Sequence, residues 1–161
     1  MYPGSFDPLT TAHLAIAEAA VVACRLDRLD LVLSAAALAK PVGGHTPIDK
    51  RVQHIERATA GRPELSVRAA VEQLIADLAE GYDVVVLGAD KWHQIHDPGF
   101  YDGSEAARDA AIGRLPLVAV APRAGAPTPS PGPGLVVLDV HPRFHTVSST
   151  AVRAGRDDWR A

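Results

Sequence analysis

Apolar and polar positions along this chain follow two periods, and each change of period marks an element. Residues 11–25 place Leu14, Ala17, Val21 and Cys24 at helical spacing, which predicts a first helix. Residues 28–34 switch to the run Leu29, Leu31, Val32, Leu33, the pattern of a buried strand. Residues 35–45 carry Lys40-Pro41 and Gly43-Gly44 and read as a loop. Thr46-Pro47-Ile48-Asp49 predicts an N-cap, a proline at the first helical position and an acid in the first turn. Ile48, Val52, Ile55 and Thr59 give that helix an inner face as far as Ala60, and Gly61 ends it. A short strand is predicted over 65–67, then a helix over 69–80 with Val71, Leu74, Ile75 and Leu78 inward.

The clearest buried strand is 83–88, which runs into a helix start at Ala89-Asp90-Lys91-Trp92. Residues 97–103 form a loop, 104–112 a helix capped by Ser104, and 115–121 a strand. Residues 122–134, rich in Pro and Gly, predict an exposed loop, 135–140 a last strand, and Ser148 or Ser149 the cap of a short helix to Arg153.

Strands alternating with helices predict an α/β fold with a doubly wound, open parallel sheet. Ligands of such sheets bind beyond the carboxyl ends of the strands, at a switch point. The Gly4 loop, the Lys40 loop, the Gly88-Ala89-Asp90 turn and the Ser148-Ser149 turn all follow strands, so the topology gathers them at one edge. Met1-Tyr2 leaves little strand before Pro3, so the expectation is a truncated first strand or residues that precede Met1.

Composition narrows the class. A chain of 161 residues with 47% apolar content predicts one globular domain over 1–161. A net charge of −3 gives no electrostatic case for nucleic acid or an anionic membrane as partner. Cys24 is the lone cysteine, which excludes an intramolecular disulfide and predicts a buried, inert thiol. With no leader and no apolar run of about 18 residues, the expected location is the cytoplasm. Lysines are few, which draws notice to Lys40, Lys50 and Lys91. His93 and His96 have a metal-like helical spacing but no evident third ligand, so no metal site is predicted.

The chemistry is carried by two distant motifs. Gly4-Ser5-Phe6-Asp7-Pro8 with Thr10-Thr11-Ala12-His13 has the order strand end, small-residue loop, helix start, a shape suited to phosphate. It resembles the signature of the small adenylyl- and cytidylyltransferases. Val147-Ser148-Ser149-Thr150-Ala151-Val152-Arg153 resembles the second motif of the same superfamily. The third position of the first motif is normally Gly, which lets the nucleotide approach the backbone; here it is Ala12.

The resemblance implies a Rossmann-like nucleotidyltransferase fold and transfer of an adenylyl group from ATP, with Mg²⁺, to a phosphate-bearing acceptor. His13, Lys40 and Arg153 match catalytic positions that stabilise charge at the transferred phosphorus. Gly4, Ser5, Phe6, Thr10, His13, Gly88, Asp90, Ser148, Ser149 and Thr150 match nucleotide-binding positions, with Asp90 on a ribose and Asp7 ordering the loop. Thr10, Lys40, Arg51 and Trp92 are the acceptor-side candidates, Trp92 as a ring stacked on a pyridine or as core.

Gly88-Ala89-Asp90 resembles the turn of nicotinate and nicotinamide mononucleotide adenylyltransferases, while Thr10 points to the phosphopantetheine enzymes. A cytidylyltransferase is a further alternative. Ala12 and the short first strand motivate a different class, a catalytically weak nucleotide-binding protein. The reading leaves room for a homo-oligomer.

Overall fold

The computed structural model describes residues 1–34 and 46–161, with Ser34 described by its backbone. In chain order the elements are β1 (Tyr2–Pro3), α1 (Thr11–Cys24), β2 (Leu29–Ser34), α2 (Ile48–Thr59), β3 (Leu65–Ala70), α3 (Ile75–Leu78), β4 (Val84–Gly88) and α4 (Ala89–Ile95). Then follow α5 (Glu105–Gly113), β5 (Leu117–Ala121), β6 (Leu135–Val137) and α6 (Ser149–Arg153), with single 3₁₀ turns at Pro98–Tyr101, Pro142–Phe144 and Asp157–Trp159. Among the described residues no helix is long and apolar enough to cross a membrane.

Among the described residues every ladder between strands is parallel. β1 pairs with β2 and β2 with β3 in one group, β4 with β5 and β5 with β6 in the other. Met1 joins the two groups: its nitrogen donates to the Val84 carbonyl at 2.6 Å, and the Val86 N–H donates to its carbonyl at 2.9 Å. The strand order across that joint is β3-β2-β1-β4-β5-β6, and it reverses between β1 and β4. This is the doubly wound α/β arrangement that the alternation predicts. β1 is short, as its sequence implies, yet it is bonded on both sides, and the Gly4 N–H adds a bond of 3.0 Å to the Val32 carbonyl.

The period of two in the strands splits the core into two layers. Leu29, Leu31 and Leu33 of β2, Val84 and Val86 of β4, and Ala119 and Ala121 of β5 pack with Ile16, Ala17 and Ala20 of α1 and Ile55 of α2. The intervening residues Val32, Val85, Leu87, Val118 and Val120 pack on the opposite face with Ile75 and Leu78 of α3 and Ala89 and Ile95 of α4.

Several expectations change. The helix expected over 69–80 shrinks to α3, because β3 extends to Ala70. Its pairing of Arg68, Ala69 and Ala70 with Val32, Leu33 and Ser34 outcompetes a weak helical period. Val71 is consequently 81% exposed rather than inward. Pro47, not Thr46, is the N-cap of α2 and gives it no side-chain cap. The Thr46 N–H is instead held by Asp7 Oδ2 at 3.2 Å. β5 starts after Pro116, which has no N–H to donate, and β6 ends at Val137, although Leu138 still donates to the Val120 carbonyl. Cys24 is half-buried, and burial pushes its thiol pKa up, with the chain's amino terminus opposing.

At the amino ends of the strands, Asp30 ties β2 to β3 and to the turn before β4. Its carboxylate accepts from Ser66 Oγ, from the Tyr82 hydroxyl at 2.7 Å and from Arg28 Nε at 2.7 Å. Burial raises its pKa, but these three donors outweigh it and hold the carboxyl below its ordinary value. A folded pKa below the unfolded one gives stability that is complete above the unfolded value and is lost as pH falls through the folded one. Asp30→Asn is therefore expected to lower unfolding free energy by about 1–3 kcal/mol at neutral pH. The gap from wild type closes on acidification; denaturant titrations across the acid range check this, and a pH-independent gap contradicts it.

Candidate active site

At the carboxyl edge of the sheet lies a cavity of about 400 Å³, a volume suited to a small-molecule ligand. Tyr2, Pro3, Gly4, Ser5, His13, Arg123 and Ser148, Ser149 and Thr150 line it from β1, α1, the end of β5 and α6. Gln73, Ile75, Leu78, Leu87, Gly88, Asp90, Lys91 and Gln94 line it from the β3–α3 connection, β4 and α4, and Ile16 closes the floor.

The start of α1 is fixed by a reciprocal cap. Thr10 Oγ1 accepts from the His13 N–H at 3.4 Å, and His13 Nδ1 accepts from the Thr10 N–H at 3.0 Å. The Thr10 hydroxyl also lies 2.9 Å from Nδ1. A backbone N–H can only donate, so Nδ1 must offer a lone pair. The imidazole is thereby the neutral tautomer with its proton on Nε2. Phe6 holds the ring from the side, edge to face at 5.0 Å, and is itself 2% exposed. The Phe6 ring lies so close over Gly4 that a Cβ there would meet it at 2.8 Å, which explains the glycine.

The second motif locks onto the first. Ser148 Oγ caps α6 by accepting from the Ala151 N–H at 3.1 Å. Ser149 Oγ donates to the Pro8 carbonyl at 2.8 Å, and Arg153 Nη1 donates to the Asp7 carbonyl. Arg153 Nη2 also reaches Thr150 Oγ1 at 3.2 Å. Two motifs separated by most of the chain are thus joined through main-chain carbonyls.

The structure therefore brings together Gly4, Ser5, His13, Gly88, Asp90, Ser148, Ser149 and Thr150 of the expected set. It places others beside the cavity rather than on its wall. Thr10 is fully buried and orients His13, and Phe6 is core. Arg51 donates to the Ser5 carbonyl at 2.7 Å and the Thr46 carbonyl at 2.9 Å, tying α2 to the first loop. Trp92 packs with the second core layer, its ring 4.2 Å from that of His96. Lys40 lies outside the described residues.

The sequence of the Cytidylyltransferase-like family, expressed as a family model, matches residues 1–155. The chain belongs to that family. A probable nicotinate-nucleotide adenylyltransferase of Bordetella petrii is 31% identical over 160 residues, covering 87% of this chain and 72% of the relative. A phosphopantetheine adenylyltransferase of Campylobacter curvus is 31% identical over 84 residues, 52% of this chain and 50% of the relative. A probable nicotinate-nucleotide adenylyltransferase of Pelobacter propionicus is 41% identical over 58 residues, 36% of this chain and 27% of the relative. The chain thus spans half or less of the length of two of these relatives.

Of the polar residues on the wall, the sequence reading missed Tyr2, Gln73, Gln94 and Arg123 and gave Lys91 no role. Arg123 stands just past the carboxyl end of a buried strand, the same signal that marks Gly88. Its Nη1 donates to the Val147 carbonyl at 2.6 Å, which aims the guanidinium beside the Ser148 turn. Burial pushes the Tyr2 phenol pKa up, with Arg123 opposing, so Tyr2 is a neutral donor.

His93 Nε2 and His96 Nδ1 are each engaged by a backbone carbonyl, of Pro127 and Trp92. Among the described residues no group of three or more His, Cys, Asp or Glu could hold a metal.

Ala12 is 1% exposed and is not on the cavity wall, so its methyl group does not crowd a ligand there. Ala12→Gly is expected to cost up to about 1 kcal/mol of stability through helix propensity and to bring no gain in nucleotide affinity. Thermal melts with and without ATP check this; tighter binding by the variant contradicts it.

Proposed function

We propose that this protein transfers the adenylyl group of ATP to the phosphate of a mononucleotide, nicotinate or nicotinamide, and releases pyrophosphate. The observation that carries the reading is the capped His13. Its Nε2–H is fixed on a wall that also carries Arg123 and the hydroxyls of Ser148, Ser149 and Thr150.

An acceptor phosphate oxygen forms a bond to the α-phosphorus while the bond from that phosphorus to the bridging oxygen breaks. The electron pair leaves with pyrophosphate. The acceptor phosphate is already anionic, so no general base is needed, and catalysis reduces to positioning and charge stabilisation. His13 Nε2–H and the Arg123 guanidinium donate to phosphate oxygens, and Lys40 supplies a second cation. Arg153 and Ser149 act as positioning residues by holding the Asp7-Pro8 loop. Gly88 and Asp90 take a ribose. Mg²⁺ enters with ATP as part of the substrate, on the nucleotide's own phosphates.

A phosphopantetheine acceptor is the second reading, favoured by Thr10 and by the Campylobacter curvus relative. Pyrophosphate release with each acceptor separates the two.

Charge rearranges at the α-phosphate only as pyrophosphate leaves, so fixed donors act most on the transition state. His13→Ala or Lys40→Ala is expected to lower turnover by roughly 10² or more while ATP affinity changes far less. Calorimetry of ATP binding and pyrophosphate assays measure the two quantities separately. Near-normal turnover of His13→Ala would contradict this role for His13, whereas ATP binding by wild type without pyrophosphate release would favour a nucleotide-binding protein without strong catalysis.

A further inference from the structure

The chain has three tyrosines, and Tyr82 and Tyr101 use their hydroxyls inside the protein. The Tyr82 hydroxyl donates to Asp30 Oδ2 at 2.7 Å, and the Tyr101 hydroxyl to the Ile95 carbonyl at 3.0 Å. The Tyr2 hydroxyl has no hydrogen-bond partner among the described residues. Tyr2 is 6% exposed, with its ring centred 5.4 Å from that of Phe6 and 6.2 Å from that of His13. A phenylalanine would serve that packing as well. Buried tyrosine hydroxyls normally find a partner, and one left without costs stability, so the oxygen calls for a ligand.

That oxygen opens on the cavity. Among the described residues, the one buried side-chain polar atom sealed from solvent without a partner is His54 Nε2. The unpartnered Tyr2 oxygen is therefore not sealed, and Tyr2 stands on the cavity wall. The two charges that act on it, those of Arg123 and Asp90, belong to residues of the same wall. Burial is the main cause that raises the phenol pKa, with Arg123 opposing and Asp90 adding to it, so at neutral pH the oxygen holds a proton to donate. Asp90 does not take that proton. Its Oδ1 lies over Gly88, where a Cβ would stand 2.5 Å away.

We infer that the Tyr2 hydroxyl is a further substrate-binding group, which donates to an α-phosphate oxygen of the bound nucleotide. The inference rests on the nucleotide site of the transfer reading and deepens it by one residue. Arg123, which can only donate, and the hydroxyls of Ser148, Ser149 and Thr150 share the wall, so a ligand atom met there is an acceptor with several lone pairs. The oxygen lies within reach of the charges of both Arg123, on the phosphate side, and Asp90, on the ribose side. The group of a nucleotide that stands between its ribose and the rest of its phosphate chain is the α-phosphate. Tyr2 is also held by the sheet, since β1 pairs with β2 and Met1 is bonded to Val84, so little freedom is lost when the hydroxyl meets a ligand.

Calorimetry with ATP, AMP and adenosine on wild type, Tyr2→Phe and Tyr101→Phe tests this, with thermal melts of the ligand-free proteins. Tyr2→Phe removes only the oxygen. It is expected to melt no lower than wild type, because no protein partner is lost, and to bind ATP and AMP about tenfold or more weakly, the usual loss for a hydrogen bond to a charged group. Adenosine, which has no phosphate, binds both proteins equally. Tyr101→Phe loses a bond inside the protein, so it is expected to melt lower and to bind ATP as wild type does. Unchanged ATP and AMP affinities in Tyr2→Phe, a loss as large with adenosine, or a loss confined to ATP overturns the inference. Pyrophosphate release with nicotinate mononucleotide, nicotinamide mononucleotide and 4′-phosphopantetheine as acceptors separates this from the transfer reading. Weaker binding of ATP and AMP alone in Tyr2→Phe, without release by wild type, sustains the inference and overturns transfer. Release by wild type with undiminished ATP and AMP binding in Tyr2→Phe overturns the inference and leaves transfer standing.

Discussion

Thr10 and His13 cap each other, and the His13 side of the cavity depends on that exchange. A helix start leaves four N–H groups without intrahelical partners. Here the side chain that reaches back to the cap residue is an imidazole rather than the usual acid or amide. The bond that stabilises α1 therefore also selects a tautomer. Local structure and chemistry are set by the same pair of atoms.

That cap is held in place by the layers around it. β1 sits between β2 and β4 and is bonded to both, so the loop from Gly4 to Leu9 leaves the sheet at the strand-order reversal. Phe6 fills the space over Gly4 and fixes the His13 ring from the side. Ser149 and Arg153 then fasten the loop from above through the Pro8 and Asp7 carbonyls. The second motif thus holds the loop of the first through its main-chain carbonyls. Arg123 lines the cavity wall, whereas Arg153, expected as a catalytic cation, donates to the Asp7 carbonyl.

The fold was legible where one period dominated. Leu29, Leu31, Val32 and Leu33, and Val84 to Leu87, are buried and apolar because both faces of a central parallel strand are covered, and both strands form as their sequences imply. It was not legible where a segment's partner decided its state. Residues 68–70 carry no strong strand signal and are drawn into β3 by the exposed edge of β2. The site was legible in part for the same reason. Motif spacing found His13 and the Ser148 turn, but not that Thr10 would be buried beneath the ring, nor that Arg51 would be spent on the Ser5 carbonyl.

The most direct test of the account is the protonation of the His13 ring, observed by nitrogen-15 NMR of labelled protein at neutral pH with no ligand added. The capped geometry predicts a neutral imidazole with a bare Nδ1, bonded to the Thr10 N–H, and a proton on Nε2. A ring protonated on Nδ1 would contradict it, since that nitrogen could no longer accept from Thr10 and the donor would face away from the cavity.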